Sequence, residues 1–239
     1  MINKKEKGGY QMFNVQEQEL PNIFLYQGDF PELYSPSSPF VLQYYQTKDS
    51  LMDVEVYKRF LENAISSFRK SRTYRHYKAY LMDLGLDRCQ FHSALKSSEN
   101  KEEKMVDLEM HHAILTIFDI ALIITEHVLN TTGYITTFDL IHILKWVHKN
   151  NMVGVVMLSK TAHQLYHNTN EFFIHPSMVF GKWWEFLSEF KYGITVDIAN
   201  KLIWYLNTAI EKGQSDDGGL LDLREHIKDW SVYNDINFR

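Results

Sequence analysis

The stretch Asp107-Leu-Glu-Met-His-His112 is predicted to form a short strand that ends on two adjacent histidines. Further along, Val155-Val-Met-Leu-Ser-Lys-Thr-Ala-His163-Gln-Leu-Tyr-His167 joins a short apolar run to two histidines that are four residues apart. Residues i and i+4 are neighbours on a helix surface, so His163 and His167 share one face. The two stretches together offer four imidazoles to one site.

The composition describes a folded protein with a sizeable core. Of the 239 residues, 45% are hydrophobic and 14% aromatic, which is too apolar for general disorder. The net charge of −5 excludes an overall basic field, so any contact with DNA must be local. The single cysteine, Cys89, excludes an intramolecular disulfide and fits a reducing compartment. No apolar run reaches the ~18 residues of a transmembrane helix, so we expect a cytoplasmic protein that neither enters a membrane nor is secreted.

Five segments are expected along the chain. Residues 1–49 hold four of the five prolines and form an extended N-terminal arm, which lies across the body or a partner. The arm is followed by a helical basic and aromatic segment (50–85), a mixed segment (86–170) with a helical insertion (113–153), C-terminal helices (171–212), and a linker with a C-terminal tail (213–239).

Three four-residue patterns predict helix starts. Ser50-Leu-Met-Asp53 resembles a capping box, and the apolar stripe that follows it has a gap near Ser71 that suggests a break. Thr116-Ile-Phe-Asp119 and Thr136-Thr-Phe-Asp139 predict helices over about 116–130 and 136–149. The two Thr-x-x-Asp segments are either an internal duplication or two independent helix starts.

Two further features concern the strands and the charge. Residues 88–95 and 105–110 are predicted to pair as a β-hairpin around the polar loop 96–104. The cations Arg69, Lys70, Arg72 and Arg75 alternate with tyrosines and form the best candidate for contact with nucleic-acid phosphates. The alternative for these four residues is an ordinary solvated helix face.

The histidine pattern resembles the HNH nucleases of the ββα-metal group over about residues 88–170. Their pattern is Glu-x-His-His, an apolar strand, and a helix with His-x-x-x-His, to which this chain supplies Glu109, His111, His112, His163 and His167. Gly154 stands where the family usually has an asparagine, with Asn150 and Asn151 just upstream. The long helical insertion is similar to that of bacteriophage members. The expected fold class is therefore α+β and mainly helical, with a ββα-metal (HNH) core and inserted and flanking helices.

This resemblance implies a metal-dependent endonuclease that hydrolyses DNA phosphodiester bonds in the host cell cytoplasm. His112 would be the general base, while His111, His163 and His167 would hold one divalent ion, with zinc, magnesium, manganese and nickel all open. Glu109 shares a strand face with His111 and would orient one of the metal-bound histidines without itself binding the ion. DNA is the implied partner, and the N-terminal arm could bind a protein.

Two other hypotheses about function stay open. The chain could be a phage-encoded protein-binding factor that keeps the metal-site scaffold with little or no nuclease activity. It could also be an all-helical structural protein in which the histidines are incidental.

Overall fold

The computed structural model describes residues 45–96, 107–168, 173–213 and 219–236. These ranges are mainly helical with short strands, which confirms an α+β fold class. The helices are α1 (Val54–Lys70), α2 (Arg72–Asp83), α3 (Ile117–Thr132), α4 (Thr137–Lys149), α5 (Lys160–Asn168), α6 (Trp183–Glu189), α7 (Val196–Lys212) and α8 (Leu220–Ile236). The strands are β1 (Tyr45–Thr47), β2 (Arg88–Cys89), β3 (His92–Lys96), β4 (Leu108–His112), β5 (Tyr134–Thr136) and β6 (Val155–Ser159). Residues 1–44 of the predicted arm lie outside the described residues.

Helices α1 and α2 meet at Ser71, which confirms the predicted break. Ser71 has an extended backbone, its N–H donates to the Phe68 carbonyl, and its hydroxyl accepts from the Tyr74 N–H at 3.3 Å. One residue therefore ends α1 and caps α2. The predicted helix start at Ser50 is wrong. Asp53 is the N-cap of α1, because its carboxylate accepts from two first-turn amides that have no partner inside the helix.

Both Thr-x-x-Asp segments form the predicted capping boxes. The Thr116 hydroxyl accepts a hydrogen bond from the Asp119 N–H at 3.1 Å. In turn, the Asp119 carboxylate accepts a hydrogen bond from the Thr116 N–H at 2.7 Å. Thr136 and Asp139 repeat this arrangement at the start of α4. Helix α3 ends at Gly133, whose φ of 86° lies in the left-handed region that favours glycine. Helices α3 and α4 pack with α1 to form the helical part of the core.

The predicted β-hairpin is wrong in its pairing. Strand β2 pairs with β3 through a tight turn, whereas β4 pairs antiparallel with β6, across the helical insertion. All five residues of β6 are buried, so its backbone groups need partners on both edges. Gln90 supplies part of the second edge, because its N–H donates to the Met157 carbonyl and its side chain accepts from the Met157 N–H.

The C-terminal helices complete the body. Helix α8 packs along α7, where Arg224 donates to the Asn207 side chain at 2.8 Å. Helix α7 is joined to α3 by an ion pair between Lys201 and Asp119. Among the described residues, no helix is long and apolar enough to cross a membrane.

Gly154 is a point of close backbone approach just before β6. A Cβ at this position would lie 2.8 Å from both the Ala113 carbonyl oxygen and the Val179 side chain. The Ala113 N–H also donates to the Gly154 carbonyl at 3.0 Å, so the two segments cannot move apart without losing this bond. The crowding explains why a larger residue, such as the asparagine of the HNH pattern, does not stand here.

We expect Gly154→Ala to lower the free energy of unfolding by about 1–3 kcal/mol, the usual cost of overpacking. Urea unfolding at neutral pH measures the loss. Gly213→Ala is the matched control, because its new Cβ would come no closer than 3.2 Å to the Ala209 carbonyl oxygen. Equal losses in the two variants would show that crowding at Gly154 is not the cause.

Candidate metal centre

The two histidines that end β4 face opposite sides of the sheet. Successive residues of a strand alternate between faces, and the register places His111 opposite Val156 and His112 opposite Val155. Both imidazoles are buried, each with 6% of the residue exposed. The four predicted imidazoles are therefore split between two sites.

On one face, His111 meets the two histidines of α5. Helix α5 begins directly after β6, and the four-residue spacing places His163 and His167 on its side that faces β4. His163 Nε2 lies 3.0 Å from His111 Nδ1 and 3.2 Å from His167 Nε2. The structure thus brings together the three predicted metal ligands.

Glu109 determines which nitrogen of His163 faces this cluster. Its Oε2 lies 2.5 Å from His163 Nδ1, so that nitrogen carries the ring proton and donates a hydrogen bond to the carboxylate. The lone pair of His163 Nε2 is then directed towards the other two imidazoles. Carboxylates commonly orient metal-binding histidines in this way, and Glu109 occupies the position predicted for it.

His111 is neutral over the physiological range. Burial, reinforced by the neighbouring His163 and His167, lowers its pKa to about 4. Its Nδ1 faces the cluster, while its buried Nε2 has no hydrogen-bond partner among the described residues. Neutral imidazole is the form that binds metal ions.

The geometry of this tri-histidine cluster (His111, His163 and His167) fits a transition-metal ion. Its three facing nitrogens all lie within 4.8 Å of one another. A tetrahedral ion with bonds of ~2.0–2.1 Å requires nitrogen–nitrogen separations of roughly 3.3 Å, close to the two short separations here. Imidazole ligands suit zinc, copper and nickel better than magnesium or calcium.

His112 belongs to a different environment on the opposite face. Its Nε2 lies 2.9 Å from His148 Nε2, and His148 Nδ1 donates to the Leu144 carbonyl at 2.7 Å. A neutral His148 therefore accepts a hydrogen bond from the His112 Nε2–H through its own Nε2. Tyr74 stacks on His112 with ring centroids 6.5 Å apart. The predicted general base is thus enclosed in the helical core and does not face the tri-histidine cluster.

The two asparagines upstream of Gly154 are engaged elsewhere. The Asn150 side chain donates to the Trp146 carbonyl at the end of α4, and the Asn151 side chain donates to the Tyr80 hydroxyl. Neither of these bonds ties the segment between β4 and β6 to the cluster. The asparagine expected from the HNH pattern is therefore not replaced by either residue.

The comparison with known families decides the identity of the chain. A family model described as bacteriophage G278-like virion protein matches residues 33–229. The chain belongs to this family. No curated protein and no solved structure gives a significant match.

Membership of the G278-like virion protein family corrects the nuclease prediction. The chain is assigned to a virion protein family and not to the HNH endonucleases, so the predicted DNA hydrolysis and the catalytic role of His112 are wrong. Only the bacteriophage part of the resemblance is confirmed. The resemblance was misleading because the histidine motif concerns only strand β4 and helix α5. The residues that surround His112 lie on other helices, namely His148 on α4 and Tyr74 on α2.

The predicted phosphate-binding residues lie around Ser71, on helices that contribute no residue to the cluster. Arg69 and Lys70 are exposed at the end of α1, and Arg72 and Arg75 are exposed at the start of α2. Their binding to nucleic acid stays a prediction.

His148 is not among the predicted site residues, yet it is the hydrogen-bond partner of His112 in the G278-like protein. It lies four residues after Leu144 and eight after Leu140, on the apolar stripe of α4, and this position already indicates burial. Its side chain is fully buried, which lowers its pKa to about 4 against the opposing bond to the Leu144 carbonyl. Burial also places the pKa of His112 well below its usual value.

These lowered pKa values predict a loss of stability in acid. Between about pH 6.5 and 4, the unfolded chain binds a proton at His148 that the native state does not, so stability falls as the pH falls. Each such group contributes a slope of up to about 1.4 kcal/mol per pH unit. We expect His148→Leu to be less stable at neutral pH, because it leaves the His112 N–H unpaired, and to show a shallower loss in acid.

Urea unfolding from neutral pH down to about pH 4 measures both the stability at neutral pH and its loss in acid. A chelator in the buffer keeps metal ions from binding to the histidines. The matched control is His142→Leu, which removes an exposed histidine from the same helix and should keep the wild-type slope. Parallel pH profiles for wild type and His148→Leu would contradict the assignment of the slope to this residue.

Proposed function

We propose that the chain is a structural component of the phage particle in which one divalent transition-metal ion holds α5 against the β4–β6 sheet. The observation that carries this proposal is the convergence of His111 Nδ1, His163 Nε2 and His167 Nε2. The particle replaces the cytoplasm as the proposed location, because the family is one of virion proteins.

The proposal is supported by the weak packing of α5. Ala162 is the one residue of this nine-residue helix that is buried. A helix of fewer than about 12 residues is marginal by itself, so its stability depends on tertiary contacts. An ion bound by His163 and His167 from the helix and by His111 from β4 would supply that contact.

The ligand set also indicates what the ion would do. His111 is buried, and the ring of Tyr166 packs against it with ring centroids 4.6 Å apart. Three histidines leave one tetrahedral position for water. On this proposal the ion stabilises the fold by binding the native state alone.

We expect the purified, chelator-treated protein to bind one Zn²⁺ or Ni²⁺ per chain and to gain about 2.7 kcal/mol at a hundredfold excess over the dissociation constant. Magnesium should give no comparable gain, because the ligands are nitrogens. Metal analysis after gel filtration and thermal unfolding measure the two effects.

His163→Ala should abolish both stoichiometric binding and the stabilisation by zinc. His142→Ala is the matched control, since it removes an exposed histidine that lies outside the cluster. Absence of stoichiometric metal in the wild type, or an equal loss in both variants, would overturn the metal proposal.

Glu109→Gln tests the role of the carboxylate. Loss of a carboxylate that orients a metal-bound histidine typically weakens metal affinity by about 10–100-fold. We expect zinc affinity, measured by competition with a chromophoric chelator, to fall in this range while the stoichiometry stays at one. Unchanged affinity would show that Glu109 does not orient His163 in the metal-bound protein.

The location is tested separately, by mass spectrometry of purified phage particles. We expect peptides of this chain in amounts that remain constant relative to a major capsid component through successive gradients. A chain found in infected cells but absent from purified particles would overturn the structural role while leaving the metal site intact.

A further inference from the structure

We propose that the junction of α1 and α2 binds the phosphate backbone of double-stranded nucleic acid. We call this surface the basic elbow and define it by Arg69, Lys70, Arg72 and Arg75. The proposal is independent of the metal site, which lies on other elements.

The elbow concentrates positive charge in an acidic protein. The chain has a net charge of −5, yet residues 63–82 contain five lysines and arginines and no aspartate or glutamate. One of the five, Lys78, is directed inward and donates to the Leu108 carbonyl at 2.7 Å. The other four are exposed on either side of Ser71.

These four cations are not neutralised within the described part of the chain. None of them forms an ion pair with a carboxylate there, whereas several other lysines and arginines do. Arg72 Nε donates to His76 Nε2 at 3.0 Å, which holds this side chain along the surface of α2. Their charge therefore remains available to an anionic partner.

The position of the tyrosines favours a duplex over a single strand. Tyr77 is fully buried, and Tyr74 packs against Phe68 with ring centroids 5.2 Å apart. The aromatic rings that alternate with the cations in sequence are thus directed into the core. Single-strand binding relies on exposed aromatic rings that stack with bases, whereas backbone contact requires only cations.

The residue types favour phosphate over a protein carboxylate surface as the ligand. Three of the four cations are arginines, whose planar guanidinium binds phosphate oxygens in a bidentate manner. Helix α2 also begins at the elbow, with Ser71 as its N-cap, and the positive end of a helix dipole favours anions. We therefore infer contact with the sugar-phosphate backbone and no reading of base sequence.

Fluorescence anisotropy with a labelled random-sequence duplex tests the proposal on the full chain. Between about 50 and 200 mM salt, four phosphate contacts predict a log–log slope of binding against salt of roughly −3.6. Arg72→Gln/Arg75→Gln should reduce the slope by about 1.8 and weaken binding at low salt. Thermal unfolding of each variant verifies that it is folded.

The matched control is Lys58→Gln/Arg59→Gln, which removes the same charge from exposed positions of α1 far from the elbow. This control should retain the wild-type slope. The proposal is overturned if the duplex does not bind at low salt, or if both double variants lose affinity equally. Tighter binding of a single strand or of polyglutamate than of the duplex would also overturn it, in favour of base stacking or an acidic protein partner.

Discussion

The antiparallel pairing of β4 with β6 is the constraint on which the rest of the structure depends. Its register places His111 and His112 on opposite faces, so one imidazole meets α5 and the other meets α4. Because side chains alternate with a period of two, a slip of one residue would exchange the two faces and disrupt both environments. The buried apolar side chains of β6 oppose such a slip, since each one packs in the core.

Features that depend on local spacing could be predicted from the sequence. The capping boxes at Thr116 and Thr136 and the break at Ser71 each require residues that are at most three apart. The same holds for the helical neighbours His163 and His167, which need only the geometry of one helix. His111 was added to this pair through the resemblance to the HNH pattern, and the structure brings it there because β4 pairs with β6, which leads directly into α5.

Features that depend on distant partners could not be predicted. Two strands close in sequence suggested a hairpin, but β6 offers β4 five buried residues across an insertion that folds into α3 and α4. The surroundings of His112 are equally non-local, because they come from His148 and Tyr74 on two separate helices. A histidine motif gives the order of the imidazoles, whereas packing decides which of them share a site.

The buried histidines on both faces of the β4–β6 sheet are neutral, but their nitrogens have different partners on the two faces. On the core face, burial keeps His112 and His148 neutral, and each donates one hydrogen bond in a chain that runs from His112 through His148 to the Leu144 carbonyl. On the α5 face, His111 is neutral for the same reason, and its lone pair meets those of two partly exposed histidines. The core face satisfies its imidazoles internally through hydrogen bonds. On the α5 face the proton of His163 is directed to Glu109, and the proposed ion would accept the lone pairs of all three imidazoles.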